Sequence, residues 1–177
     1  MICRRFSILI LAVLATSSFL RAQDKSTAAP SQSIYRNFVG SWEGASVWIE
    51  NGNLQRGLVK IVIAEEPKKN RMRLDYVYIN DQGTQKNVRF IQLDPVRESM
   101  KMHSKGDTTD RFEVKGLEQF AQTGLGDFTA FHCLDPGSKR MERMMLHLEA
   151  DKFNYEWANS TDGRTYITFS HFTLKRK

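Results

Sequence analysis

Cysteine is almost missing from this chain: of 177 residues, only Cys3 and Cys133 carry a thiol. Met1 to Ala22 has the layout of a secretory leader, with Arg4 and Arg5, the apolar run Phe6 to Leu14, and then small and polar residues. Cleavage after Ala22 removes Cys3, so no internal disulfide can form even though an exported location would permit one. Stability must then come from burial. Long apolar runs are missing as well: the leader's run is shorter than the roughly 20 residues that cross a bilayer, and no later stretch approaches that length. The expectation is an exported protein, periplasmic or extracellular, without stable membrane insertion.

Charge of one sign is scarce too. The chain carries 26 Lys and Arg against 20 Asp and Glu, a net charge of +6. Three of those bases, Arg4, Arg5 and Arg21, leave with the leader. The remaining excess is too small to predict a nucleic-acid partner, and the one dense basic cluster is the terminal Lys175-Arg176-Lys177. There is no Gly-x-Ser-x-Gly elbow, no phosphate loop and no metalloprotease helix. His103, His132, His147 and His171 fall on separate segments with no metal-ligand spacing. We therefore assign no catalytic residue and no metal ligand, and the sequence names neither a cofactor nor an oligomeric state.

What is present is a period of two. Residues 23–33, mostly Ser, Thr, Ala and Gln around Pro30, read as a flexible lead. Residues 34–177 read as one domain, long enough to bury a core. It opens with a short helical turn over Ile34 to Val39, and after that apolar and polar residues alternate between turn signals. Trp42 to Glu50 ends at Asn51-Gly52, a dipeptide suited to a two-residue hairpin. Val59, Ile61 and Ile63 share a face of the second segment, and Met72, Leu74, Tyr76 and Tyr78 share a face of the third. In the fourth, Val88, Phe90 and Gln92 are placed inward opposite Arg89. Met100 and Met102, Phe112 and Val114, Met144 and Leu146, and Phe153, Tyr155 and Trp157 continue the pattern. The count is about ten strands with hairpin-length connections and no helix-length segment, except that Gly116 to Gly126 predicts a loop with a helical turn at the barrel mouth.

An open meander of this length would leave two unpaired edges, and closing it removes them. The expected architecture is all-β, an up-and-down antiparallel barrel; a β-sandwich shares the same alternation. Gly40 and Trp42 are expected to plug one end. The candidate cavity lining is Trp48, Tyr76, Tyr78, Phe90, Met102, Phe112, His132, Tyr155 and Trp157.

Phe38-Val39-Gly40-Ser41-Trp42 resembles the start of the calycin superfamily, which comprises lipocalins, fatty-acid-binding proteins and related bacterial barrels, including the haem-binding nitrobindin type. The resemblance implies a calycin or lipocalin-like barrel and a late Arg packed over the tryptophan, with Arg164 and Arg176 as candidates. It also implies a small hydrophobic or amphipathic molecule inside. Two other readings stay open at this point: a haem-binding or other small-molecule enzyme of the nitrobindin type, with His132 or His171 as ligand, and a protein-interaction module with a solid barrel.

Overall fold

In the computed structural model, which describes residues 33–135 and 137–177, ten antiparallel strands close on themselves. The proposed leader and all but the last residue of the lead lie outside the described residues. The strands are β1 (Gly40–Glu50), β2 (Asn53–Glu66), β3 (Arg71–Asn80), β4 (Gly83–Asp94), β5 (Ser99–Ser104) and β6 (Asp110–Lys115), followed by a helix, α1 (Leu117–Thr123). After it come β7 (Gly126–Cys133), β8 (Met141–Leu148), β9 (Lys152–Ser160) and β10 (Ile167–Arg176). Each strand pairs with its sequence neighbours, and β1 pairs with β10 from Trp42↔Arg176 to Trp48↔Ser170, so no edge is left unpaired. That closure decides for the barrel over the sandwich.

Short turns set the register. Asn51 and Gly52 both take positive φ, 50° and 78°, the geometry of a primed two-residue hairpin. Asp81 and Gln82 likewise form a two-residue connection, because Asn80 pairs with Gly83. With a side-chain period of two, that loop places Arg89 opposite Leu74 and Ile91 opposite Met72. Leu74 and Met72 are core residues, so Arg89, Ile91 and Leu93 face the interior. This corrects the expectation for β4. Phe90 lies on the outside, with its ring 5.0 Å from His103 and the Arg71 guanidinium 3.9 Å above it.

The end of the barrel where β1 begins is sealed. Ile34 to Phe38 form a turn as expected, and Tyr35 and Phe38 are buried. The Tyr35 hydroxyl donates to the Asn70 carbonyl at 3.0 Å and accepts from the Leu93 amide at 2.9 Å, tying the turn to two strand ends. α1 closes the same end and not the mouth, a second correction. Its Leu117 and Phe120 are buried, and Phe120 packs 5.5 Å from Phe38 and 5.1 Å from Phe128. A short helix with two apolar residues can be held only where there is a core to receive them.

Trp42, 1% exposed, fills the space above this seal, with its ring 5.8 Å from Phe153. Burying an aromatic of this size is worth about 4–6 kcal/mol at ~25 cal/mol per Å². Its indole N–H donates to the Phe38 carbonyl at 2.7 Å. The Arg176 guanidinium lies 4.3 Å from the ring centroid and donates to the carbonyls of Asn37, Val39 and Ala150. The late Arg over the tryptophan is therefore Arg176. Gly40, at φ 138°, is needed beside it: a Cβ there would stand 2.8 Å from Arg176 Nη1.

Candidate ligand-binding cavity

At the other end the hairpin tips leave an opening, and beneath it lies a cavity of about 300 Å³. Its walls include Trp48 from β1, Tyr78 from β3, Arg89 from β4, Tyr155 and Trp157 from β9, and Phe169 from β10. Trp48 stands edge-on to Tyr78 at 6.2 Å, Tyr155 stacks on Phe172 at 4.4 Å, and Trp157 leans on Phe169 at 5.5 Å. Such contacts lock ring orientations and give the wall a fixed shape. In the same wall the pairing of β9 with β10 shifts register at Thr168/Ser170.

The lining carries two charged side chains, Arg89, which is partly buried, and Glu50 at the rim. The Arg89 guanidinium sits 5.0 Å from the Trp157 ring and 5.6 Å from the Tyr76 ring. Among the described residues no carboxylate lies within 4.0 Å of it. Tyr155 Oη and Trp157 Nε1 are buried beside it, Tyr155 facing Arg89 and Trp157 facing the Glu142 carboxylate, neither at full hydrogen-bond geometry. Burial pushes the Tyr76 and Tyr155 hydroxyls well above the ordinary phenol range, with Arg89 pulling them partway back, so both rings are neutral at ordinary pH.

Further residues with inward parity ring the opening. Asp110 pairs with Met102, and Glu142 pairs with His132. Burial raises the Glu142 carboxyl and Asp110 adds to the rise, while His132, a hydrogen bond from Trp157 and the Arg89 charge oppose it. His132 Nδ1 is 2.8 Å from the Arg111 carbonyl, and its ring lies 5.0 Å from Phe112. At the rim Glu50 accepts from Trp48 Nε1 at 3.5 Å.

Of the residues expected to line the interior, Trp48, Tyr78, Tyr155 and Trp157 come together around the cavity. Tyr76, Met102 and Phe112 face inward but are packed in the core beside it. His132 stands near the opening without lining the cavity, and Phe90 is outside. Gly40 and Trp42 are at the sealed end. No histidine lines this cavity among the described residues, and His171, paired with Val47 and Glu156, faces outward. Arg89 was assigned by sequence to the solvent face; the Asp81-Gln82 loop length is the signal that places it inside.

No protein-family profile and no curated protein matches the sequence. Solved structures do resemble it. Rv2717c from M. tuberculosis superposes with a TM-score of 0.53 at 12% identity, over 84% of this chain and 98% of that one. The S-type phycobiliprotein lyase CPES from Guillardia theta gives 0.52 at 15% identity, over 81% and 90%. Lobster apocrustacyanin A1 gives 0.42 at 10% identity, over 80% and 62%. The first two likenesses concern the backbone alone, and with the closed strand order they make the fold of this chain a calycin-like ten-strand barrel.

Proposed function

We propose that the protein is exported and binds a small amphipathic molecule in the open end of its barrel, without chemically changing it. The observation that carries this reading is an aromatic cavity open at one end of the barrel, walled by Trp48, Tyr78, Tyr155, Trp157 and Phe169 with the Arg89 guanidinium among them. Burial against these rings supplies the affinity. A guest hiding about 200 Å² of apolar surface gains about 5 kcal/mol before the costs of association. A volume of about 300 Å³ is at the small end of ligand clefts, so the guest is compact, a molecule of one or two rings. The leader-like residues 1–22 support export.

Titration with 1-aminonaphthalene, a neutral fluorescent two-ring amphiphile, tests the reading. Saturable equimolar binding is expected, weakened roughly tenfold or more by Ser170→Phe, which puts a ring into the cavity, since each 1.4 kcal/mol of lost contact is tenfold. Absence of binding, or equal binding by the two proteins, contradicts it.

A further inference from the structure

We propose that the outer wall over β3 to β6 binds an acidic polysaccharide, independently of the cavity. Two hollows of about 400 and about 410 Å³ lie side by side there and share Gln92 and Lys101. Arg97, Lys101 and Arg111 line the first, and Lys69, Arg71 and Lys101 line the second. Asp94 is the one carboxylate in the lining beside these five bases. Lys101 and Arg111 stand directly opposite each other on β5 and β6. Their Cβ atoms are then about 5 Å apart, a placement in which like charges destabilise a sheet.

Elsewhere on the outer wall such positions are compensated. Lys60 faces Glu43 at 3.4 Å, and Arg71 faces Glu66 at 2.6 Å. Where Lys152 faces Lys175, Glu149 lies 3.9 Å from the first and Glu43 is the cross-strand neighbour of the second. Lys101 instead has Gln92 on its other side. Among the described residues neither Lys101 nor Arg111 has a carboxylate within 4.0 Å. Of the acids nearby, Glu66 is taken by Arg71 and Lys69, and Asp94 lies 3.8 Å from Arg97. Glu113, two residues along β6 from Arg111, is opposite Ser99.

Two bases held side by side without an acid are neutralised by a guest that brings negative charge. Further bases on both sides of Lys101 suit a guest whose charges repeat along its length. Gln92, Asn70, Ser99 and Thr109 add amides and hydroxyls, which both donate and accept, as sugar hydroxyls require. A single-stranded nucleic acid needs aromatic faces for its bases. Phe90, the phenyl ring in the lining, is already engaged by the Arg71 guanidinium at 3.9 Å and the His103 ring at 5.0 Å.

The probe is decagalacturonate, with one carboxylate per sugar, titrated calorimetrically at low and high salt; neutral dextran and a ten-residue oligothymidylate are titrated in parallel. Wild type is expected to bind decagalacturonate, more weakly at high salt, and not to bind dextran. Lys101→Gln/Arg111→Gln is expected to weaken binding roughly tenfold or more. Lys139→Gln/Arg164→Gln removes the same charge from exposed loops, and is expected to leave binding within about twofold of wild type because distant charges are screened. Absence of binding, equal losses in the two double variants, or tighter binding of the oligothymidylate overturns the proposal, and none of these bears on the cavity. Lys101→Gln/Arg111→Gln is also expected to be at least as stable in urea as wild type, since it removes a repulsion. A loss of stability assigns the two bases to the fold and overturns their role in binding.

Discussion

Arg176 lies over Trp42, its guanidinium carbon 4.3 Å from the ring centroid, and the two residues are cross-strand partners at the seam where β10 meets β1. The same guanidinium bonds three backbone carbonyls of the sealed end. Arg176→Ala removes the cation–π contact and leaves those carbonyls without a donor. We expect a loss of roughly 2–4 kcal/mol in urea unfolding, with Arg176→Lys recovering only part of it because an ammonium cannot serve all three carbonyls and the ring at once.

Gly44 tests the closure itself. It pairs with Leu174 across the seam, and a Cβ on it would lie 1.9 Å from the Thr173 carbonyl oxygen. That neighbour is backbone and cannot rotate away. Gly44→Ala is expected to destabilise the fold by about 3 kcal/mol, near the upper end for overpacking, and to speed amide exchange first in β1 and β10. Slowed or unchanged exchange there contradicts the seam as described.

The raised carboxyl of Glu142 makes a prediction with a definite sign. Burial, then Asp110, lifts it above its ordinary value of 4.5, so the folded state holds its proton more tightly than the unfolded chain. Stability from this group therefore falls as pH rises from the unfolded value through the folded one. Glu142→Gln is expected to have a higher melting temperature than wild type near neutral pH, with the difference shrinking toward about pH 4. A variant less stable than wild type at neutral pH shows instead that the ionised carboxylate is needed.

His147 has a dependence of the same sign, over a higher range of pH. Its ring nitrogens meet Glu149 at 2.8 Å and Asp127 at 2.6 Å, and these bonds raise it above 6.5. The stabilisation is complete below the unfolded value and is lost as pH rises through the folded one. The group is on the surface, so His147→Gln is expected to lose at most about 1 kcal/mol relative to wild type near pH 6, and less near pH 9.

The sequence showed the frame of the barrel more clearly than its contents. Gly40 and Trp42 marked the sealed end, Asn51-Gly52 marked the first hairpin, and alternation such as Met72, Leu74, Tyr76 and Tyr78 marked strand faces, because period two and positive-φ dipeptides are local signals. In β4 both parities are apolar, Val88 and Phe90 against Ile91 and Leu93, so alternation alone could not choose between them. The charge on Arg89 was then assigned to solvent. The two-residue loop before it carried the answer, since it fixes pairing with β3. The position of α1 was similarly encoded in topology: in an up-and-down barrel, the link after the sixth strand returns to the end where the first begins. The meeting of Arg89 with Tyr155 and of Glu142 with Trp157 has no local sequence signature, because it depends on which side chains three-dimensional packing brings within reach.

Three tryptophans give three separately placed reporters of the central claim. Trp48 and Trp157 line the cavity, and Trp42 donates to Phe38 at the sealed end. In nitrogen-15 correlation spectra, added 1-aminonaphthalene is expected to move the Trp157 and Trp48 indole resonances and to leave that of Trp42 in place. If no indole signal moves at saturating ligand, or if Trp42 moves with the others, binding in the open end of the barrel is contradicted.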